Sequence, residues 1–254
     1  MPSLDHIPTM GALLAAWLLW ALISHRVIHN PRGDMATGFV WLLLRVYVRA
    51  VHMLRVVGLH NAPTQAKVDG RPIVVVANHT AGIDPLLVMA ALPFHVRWMM
   101  GVDMRVPALD GGFAWGGVIL VERFGKADLR AMREASATLA GKREALGIFP
   151  EGRLRDRPGQ LFPFKPGVGV LVARANALVL PVLIEGTPVR QSPWWSLVTP
   201  SLSRVTFHPL IDYRALGVPA GEISQDLRGR YLRWLGLEDP GADQVAQTPA
   251  RTRA

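Results

Sequence analysis

From Arg71 onward, short apolar runs rich in Val, Ile and Leu alternate with stretches whose apolar residues recur at helical spacing, and turn residues separate the two. That alternation constrains the fold more than any other feature, because it is the pattern of an α/β domain. Strands are predicted at 73–77, 96–100, 118–121, 146–149, 178–183 and 205–210. Helices are predicted at 85–91, 127–140, 168–176 and 223–235. The expected class is α/β, a mixed sheet flanked by helices, occupying residues 61–238.

Two apolar segments precede this domain. Residues 10–23, MGALLAAWLLWALI, carry no charge, and as a helix they extend about 21 Å at about 1.5 Å per residue. A bilayer core is about 30 Å thick, and the uncharged flanks from Pro8 to Ser24 reach only the lower edge of a spanning helix. Spanning and interfacial placements both remain open. No Lys or Arg precedes the run and no small-x-small site follows it, which disfavours a cleaved secretory leader and leaves the segment as an anchor. Arg26 and Arg32 follow the run while only Asp5 lies ahead, so the excess of cations puts everything downstream on the cytoplasmic side, at the inner membrane if the chain is bacterial.

After the turn signal Asn30-Pro31-Arg32-Gly33, residues 39–59 carry Arg45, Arg49, His52 and Arg55 at steps of four, three and three. On one continuous helix these four share a stripe surrounded by Trp41, Leu42, Leu44, Val48, Val51 and Leu54. That pattern suits a helix in the headgroup layer with its cations on anionic phosphates, and equally a core-packed helix with a solvated stripe. Its place after another apolar run favours the first. Residues 1–60 are thus expected to form a membrane-associated helical pair, and 239–254, polar and without periodicity, a flexible tail.

Composition limits the chemistry. Half the residues are hydrophobic and none is cysteine, which removes disulfides, thiolate zinc sites and a cysteine nucleophile. The net charge of +9 favours a polyanionic partner, whether nucleic acid, anionic lipid or a phosphorylated substrate. No nucleic-acid-binding motif accompanies that charge, and no His-x-x-x-His or paired-carboxylate metal site is present, so neither nucleic acid nor metal is expected.

The first predicted strand runs into Asn78-His79-Thr80-Ala81-Gly82-Ile83-Asp84. Five residues on a regular helix would turn the two side chains about 140° apart, so His79 and Asp84 meet only if 80–83 form a turn, which Gly82 permits. If they meet, the carboxylate fixes the imidazole tautomer and makes His79 a stronger general base. Asp84 before Pro85 also reads as a helix N-cap with proline at the first helical position. Phe149-Pro150-Glu151-Gly152-Arg153 follows another strand and puts a carboxylate beside a glycine in a loop, a common place for a polar ligand. Gly117-Val118-Ile119-Leu120-Val121-Glu122-Arg123 ends a strand on a cation able to grip a phosphate through paired N–H donors, although taken alone it reads better as a solvated or ion-paired arginine.

Taken together, the blocks at 78–84, 117–123, 149–152 and 178–182 resemble, in order and spacing, those of the glycerophospholipid acyltransferases, specifically the 1-acylglycerol-3-phosphate acyltransferase type. The resemblance covers about residues 70–210. It implies that His79 and Asp84 are the catalytic pair, that Arg123 contacts the acceptor's phosphate, and that Asn78, Glu151, Gly152 and Arg153 lie at the substrate site. Lys165 is a further candidate phosphate contact. The sequence departs from the family where Arg153 and Leu154 precede Arg155, in place of Thr or Ser followed by Arg, and where Pro166 follows Lys165. The implied reaction moves a fatty acyl group from acyl-CoA or acyl carrier protein to lysophosphatidate, giving phosphatidate, with membrane phospholipid as partner and no cofactor. Another lysolipid acceptor, such as lyso-ornithine lipid, stays open. A lipid hydrolase is the rival reading and lacks a Gly-x-Ser-x-Gly elbow, while a non-catalytic membrane-binding protein would tolerate loss of His79.

Overall fold

The computed structural model describes residues 7–122, 129–141, 144–155, 159–189 and 192–238. The 239–254 tail and Arg123 lie outside the described residues. Among those described, eight strands form one sheet: β1 (Arg55–Val57), β2 (Lys67–Val68), β3 (Arg71–Ala77), β4 (His95–Gly101), β5 (Ile119–Val121), β6 (Glu144–Ile148), β7 (Leu178–Glu185) and β8 (Arg204–Phe207). Their order is β1-β8-β7-β3-β6-β4-β5, with β2 antiparallel to β3. Strands β7, β3, β6, β4 and β5 run parallel, β8 runs antiparallel to β7, and β1 runs parallel to β8. The sheet is mixed, as expected.

Central strands are buried on both faces, which is why they read as unbroken apolar runs rather than alternating ones. Side chains of β3 divide by parity: Ile73, Val75 and Ala77 face one apolar layer, Val74 and Val76 the other. Helices α2 (Met35–Val51) and α3 (Asp84–Ala91) contribute Trp41, Val48, Leu87 and Val88 to the first layer. Helices α5 (Leu129–Ala140), α6 (Gly167–Arg174) and α8 (Ile223–Leu235) supply Leu139, Leu171, Leu227 and Tyr231 to the second. Pro181 stands within β7 and has no N–H for the ladder. Beside it, Tyr231 donates its hydroxyl proton to the Val76 carbonyl at 2.7 Å and accepts the Val182 N–H at 3.0 Å, bridging β3 and β7 where they approach the site.

The amino-terminal segment differs from its sequence reading in two ways. Helix α1 runs Ile7–Ile28, longer than its uncharged stretch, and residues 10–28 are long and apolar enough to cross a membrane, with a mean hydropathy of 1.6. Helix α2 stops at Val51 instead of continuing to 59. Met53 adopts a left-handed φ of 41°, and the Leu54 N–H turns back to the Val48 carbonyl at 3.3 Å, which carries the chain off the helix axis. No glycine or proline marks that stop, so periodicity alone ran the helix through it. Residues 55–57 become β1.

The cationic stripe is consequently absent. Arg45 donates Nε–H to the Ala90 carbonyl at 3.0 Å, His52 is buried at the end of α2, and Arg55 sits on a strand. Apart from Arg49 near its end, the large side chains that α2 leaves uncovered are apolar: Met35, Phe39, Val40, Leu43 and Val46.

Candidate active site

The site is built where β3 and β6 end. In an open α/β sheet, loops leaving the carboxyl ends of central parallel strands converge and leave a crevice between diverging connections. Strand β3 leads into 78–84 and β6 into 149–152.

His79 and Asp84 do meet. The His79 Nδ1 lies 3.0 Å from Asp84 Oδ2, and the carboxylate side chain is 0% exposed against 12% for the imidazole. An ionised carboxylate only accepts, so Nδ1 carries the proton and Nε2 keeps the lone pair. Nε2 has no hydrogen-bond partner among the described residues. The same Oδ2 accepts the N–H groups of Thr80 at 2.7 Å and Ala81 at 2.9 Å. Those bonds show that Asp84 does not cap α3: it is the first helical residue, and its carboxylate folds back on the turn before it. Gly82 serves close approach, since a Cβ there would sit 2.5 Å from the Pro193 carbonyl oxygen.

The imidazole is also held from its face. Its ring stacks on Phe149 with centroids 3.9 Å apart and 13° between planes, and Phe149 stacks on Trp98 at 4.5 Å. Nothing in the sequence around Phe149 signals this contact, and Trp98 lies within a strand with no motif to mark it.

Glu151 is buried, and its oxygens are already engaged. They accept the His79 N–H at 2.9 Å, the Phe162 N–H at 3.0 Å and the Arg155 guanidinium from 2.9 Å. Arg155, itself buried, returns its backbone N–H to the His79 carbonyl at 3.1 Å. This carboxylate joins the two loops. The Asn78 amide accepts the Ile184 N–H at 2.7 Å and donates to the Ile184 carbonyl at 2.8 Å, continuing the β3–β7 pairing in the interior.

Gly152 has φ +66°, a left-handed conformation that favours glycine, and the Lys165 stem crosses the loop there, 2.5 Å from where a Cβ would stand. Lys165 is exposed, and its N–H donates to the Pro150 carbonyl at 2.8 Å. Arg153 is half-buried with its guanidinium 3.5 Å from the Phe162 ring centroid, a cation–π contact. Gly152, Lys165 and Arg153 thus gather on the loop beside His79. Ser196, also missed from sequence, receives the Ile83 N–H at 3.1 Å and donates to the Pro193 carbonyl, pinning the His79–Asp84 turn from outside. A cavity of about 630 Å³ lies elsewhere, at the opposite ends of β4 and β6, lined by Arg32, His95, Arg97 and Glu144.

An acyltransferase family model matches residues 53–185, which takes in the His79–Asp84 turn and the Glu151–Gly152 loop. The chain belongs to the acyltransferase family. Among curated acyltransferases, 1-acyl-sn-glycerol-3-phosphate acyltransferase alpha of Ovis aries is 29% identical over 179 residues, covering 68% of this chain and 60% of its own length. The Homo sapiens protein of the same name is 28% identical, with 68% and 61% covered. The chain thus spans about 60% of the length of those relatives. The crystal structure of the 1-acyl-sn-glycerophosphate acyltransferase from Thermotoga maritima superposes with a TM-score of 0.60 at 18% identity, covering 88% of this chain and 91% of that one, and so shares the fold.

Proposed function

We propose that the chain transfers a fatty acyl group from a thioester donor to the free hydroxyl of lysophosphatidate, with His79 as general base and Asp84 as its partner. The observation that carries this reading is the buried Asp84 carboxylate on His79 Nδ1, which leaves Nε2 as the basic nitrogen at the partly exposed edge. A lone pair held in place with an anion behind it can accept a proton and be stabilised as imidazolium. Family membership and the names of the relatives support the acyl chemistry and the acceptor.

A thioester is already activated, so no acyl-enzyme is required. Nε2 removes the acceptor hydroxyl proton as that oxygen bonds to the thioester carbon. The tetrahedral centre collapses, the C–S bond breaks, and the imidazolium returns its proton to the departing thiolate. Base catalysis of this kind contributes about 10²- to 10⁴-fold, leaving orientation to supply much of the rest. Arg123 is assigned the acceptor phosphate, with Lys165 and Arg153 as further cations near the loop; Gly152 is assigned the passage of the Lys165 stem. The donor is acyl-CoA or acyl carrier protein.

The membrane supplies the acceptor. A lysolipid can keep its chain in the bilayer while its headgroup reaches the loops, and α1, with Leu13, Trp17, Leu18 and Trp20 exposed, is assigned the anchoring role with the α/β domain on the cytoplasmic side. The test is transfer of labelled acyl groups from acyl-CoA or acyl carrier protein to lysophosphatidate. His79→Ala and Asp84→Asn are expected to abolish and sharply reduce turnover, respectively, with membrane partitioning unchanged. Full activity of His79→Ala would overturn the base assignment, and release of free fatty acid exceeding transfer would favour the hydrolase reading.

A further inference from the structure

A second group of uncovered apolar side chains lies on the α/β domain itself. Trp195, Val198 and Leu202 are 66%, 63% and 73% exposed. Trp195 and Val198 stand three apart on the short helix α7 (Trp195–Val198) and so share its outer side, while Ser196 faces inward to Ile83. Residues 201–203 then run along the end of α2: Ser201 N–H donates to Val51 at 3.2 Å, Ser203 N–H to His52 at 3.0 Å, and Arg55 N–H to Ser203 at 2.9 Å. Leu202 is thereby set beside Met53, which is also exposed.

Cations rim the group. Arg55 and Arg204 are register partners in the β1–β8 pair, and both are exposed, as is Arg49 near the end of α2. Tryptophan at headgroup level, aliphatic side chains just below it and guanidinium groups on phosphates are the requirements of an anionic bilayer surface. The net charge of +9 adds long-range attraction to the same partner.

We propose that Trp195, Val198 and Leu202, rimmed by Arg49, Arg55 and Arg204, form a second lipid-contacting surface that docks the α/β domain onto an anionic bilayer beside the helical pair. This rests on the membrane placement proposed above and adds a contact that α1 does not make. Because the inner side of α7 holds Ile83, within the His79–Asp84 turn, docking here sets that turn next to the surface from which a lysolipid enters.

The chain has no cysteine, so one introduced thiol reports one position. Full-length Val198→Cys, Leu202→Cys, Leu14→Cys on α1 and Gln225→Cys on α8 each receive a nitroxide label. Their accessibility to oxygen and to a water-soluble nickel chelate is read by electron paramagnetic resonance, with vesicles of phosphatidylcholine plus phosphatidylglycerol. The oxygen-to-nickel ratio is expected to rise severalfold on vesicle binding at 198 and 202, as at 14, and to stay unchanged at 225. If the label at 14 is immersed while those at 198 and 202 remain as open to nickel as 225, the docking surface is overturned and the anchor stands. Labels at 14, 198 and 202 all left in water would overturn both. Nickel exclusion at 198 and 202 without vesicles, with spin–spin broadening, would assign the surface to a second copy of the chain and overturn the lipid partner.

Discussion

The imidazole of His79 and the ring of Phe149 lie 3.9 Å apart and nearly parallel, so a residue from the loop after β6 holds the flat face of a histidine from the loop after β3. Phe149→Leu keeps most of the apolar volume and removes the aromatic face. An aromatic pair contributes about 1 kcal/mol beyond area burial, which corresponds to about a fivefold loss if it acts only on the reactive orientation. Turnover is expected to fall by about that factor, with the acceptor KM little changed, as measured by initial rates. An unaltered kcat would show that the stack does not orient the ring.

Glu151→Gln should act mainly on stability. The carboxylate holds Arg155 while accepting the His79 and Phe162 N–H groups, and removing one partner of a buried pair typically costs about 3–5 kcal/mol. A cooperative unfolding midpoint lowered by several degrees is expected, together with reduced kcat for every acceptor. Selective loss of acceptor affinity at unchanged stability would assign Glu151 to ligand binding instead.

Arg123→Ala is expected to raise the acceptor KM more than the donor KM, as for a contact with the acceptor phosphate. Equal effects on the two, read from full substrate matrices, would remove that role.

Stability should weaken in mild acid because of buried histidines. Burial holds His95 below its ordinary pKa, with Arg32 adding to the shift, and burial lowers His52 in the same direction. The unfolded chain therefore takes up these protons first as pH falls below about 6.5, and stability drops until each folded-state pKa is passed. Thermal midpoints between neutral pH and pH about 5 are expected to fall more steeply for the parent chain than for His95→Phe. Parallel slopes would mean that His95 contributes nothing to the acid sensitivity.

The sequence by itself determined the elements whose signals are local. Unbroken apolar runs marked β3 and β7 because both faces of a central strand are covered, and Ile223–Leu235 was bounded correctly because its helical repeat meets Gly236, which takes a left-handed φ of 64°. The Asn-His-x-x-x-x-Asp spacing likewise revealed the catalytic candidates. Only the tertiary structure decided how α2 ends, since a left-handed Met53 has no local mark, and which strand Arg55–Val57 joins, since its partner β8 lies far along the chain. It also decided the partners of Asn78, Glu151 and Arg155. A polar side chain carries its donors and acceptors in its chemistry, but whether they meet backbone, a neighbouring loop or a ligand depends on which distant segments folding brings within hydrogen-bond reach.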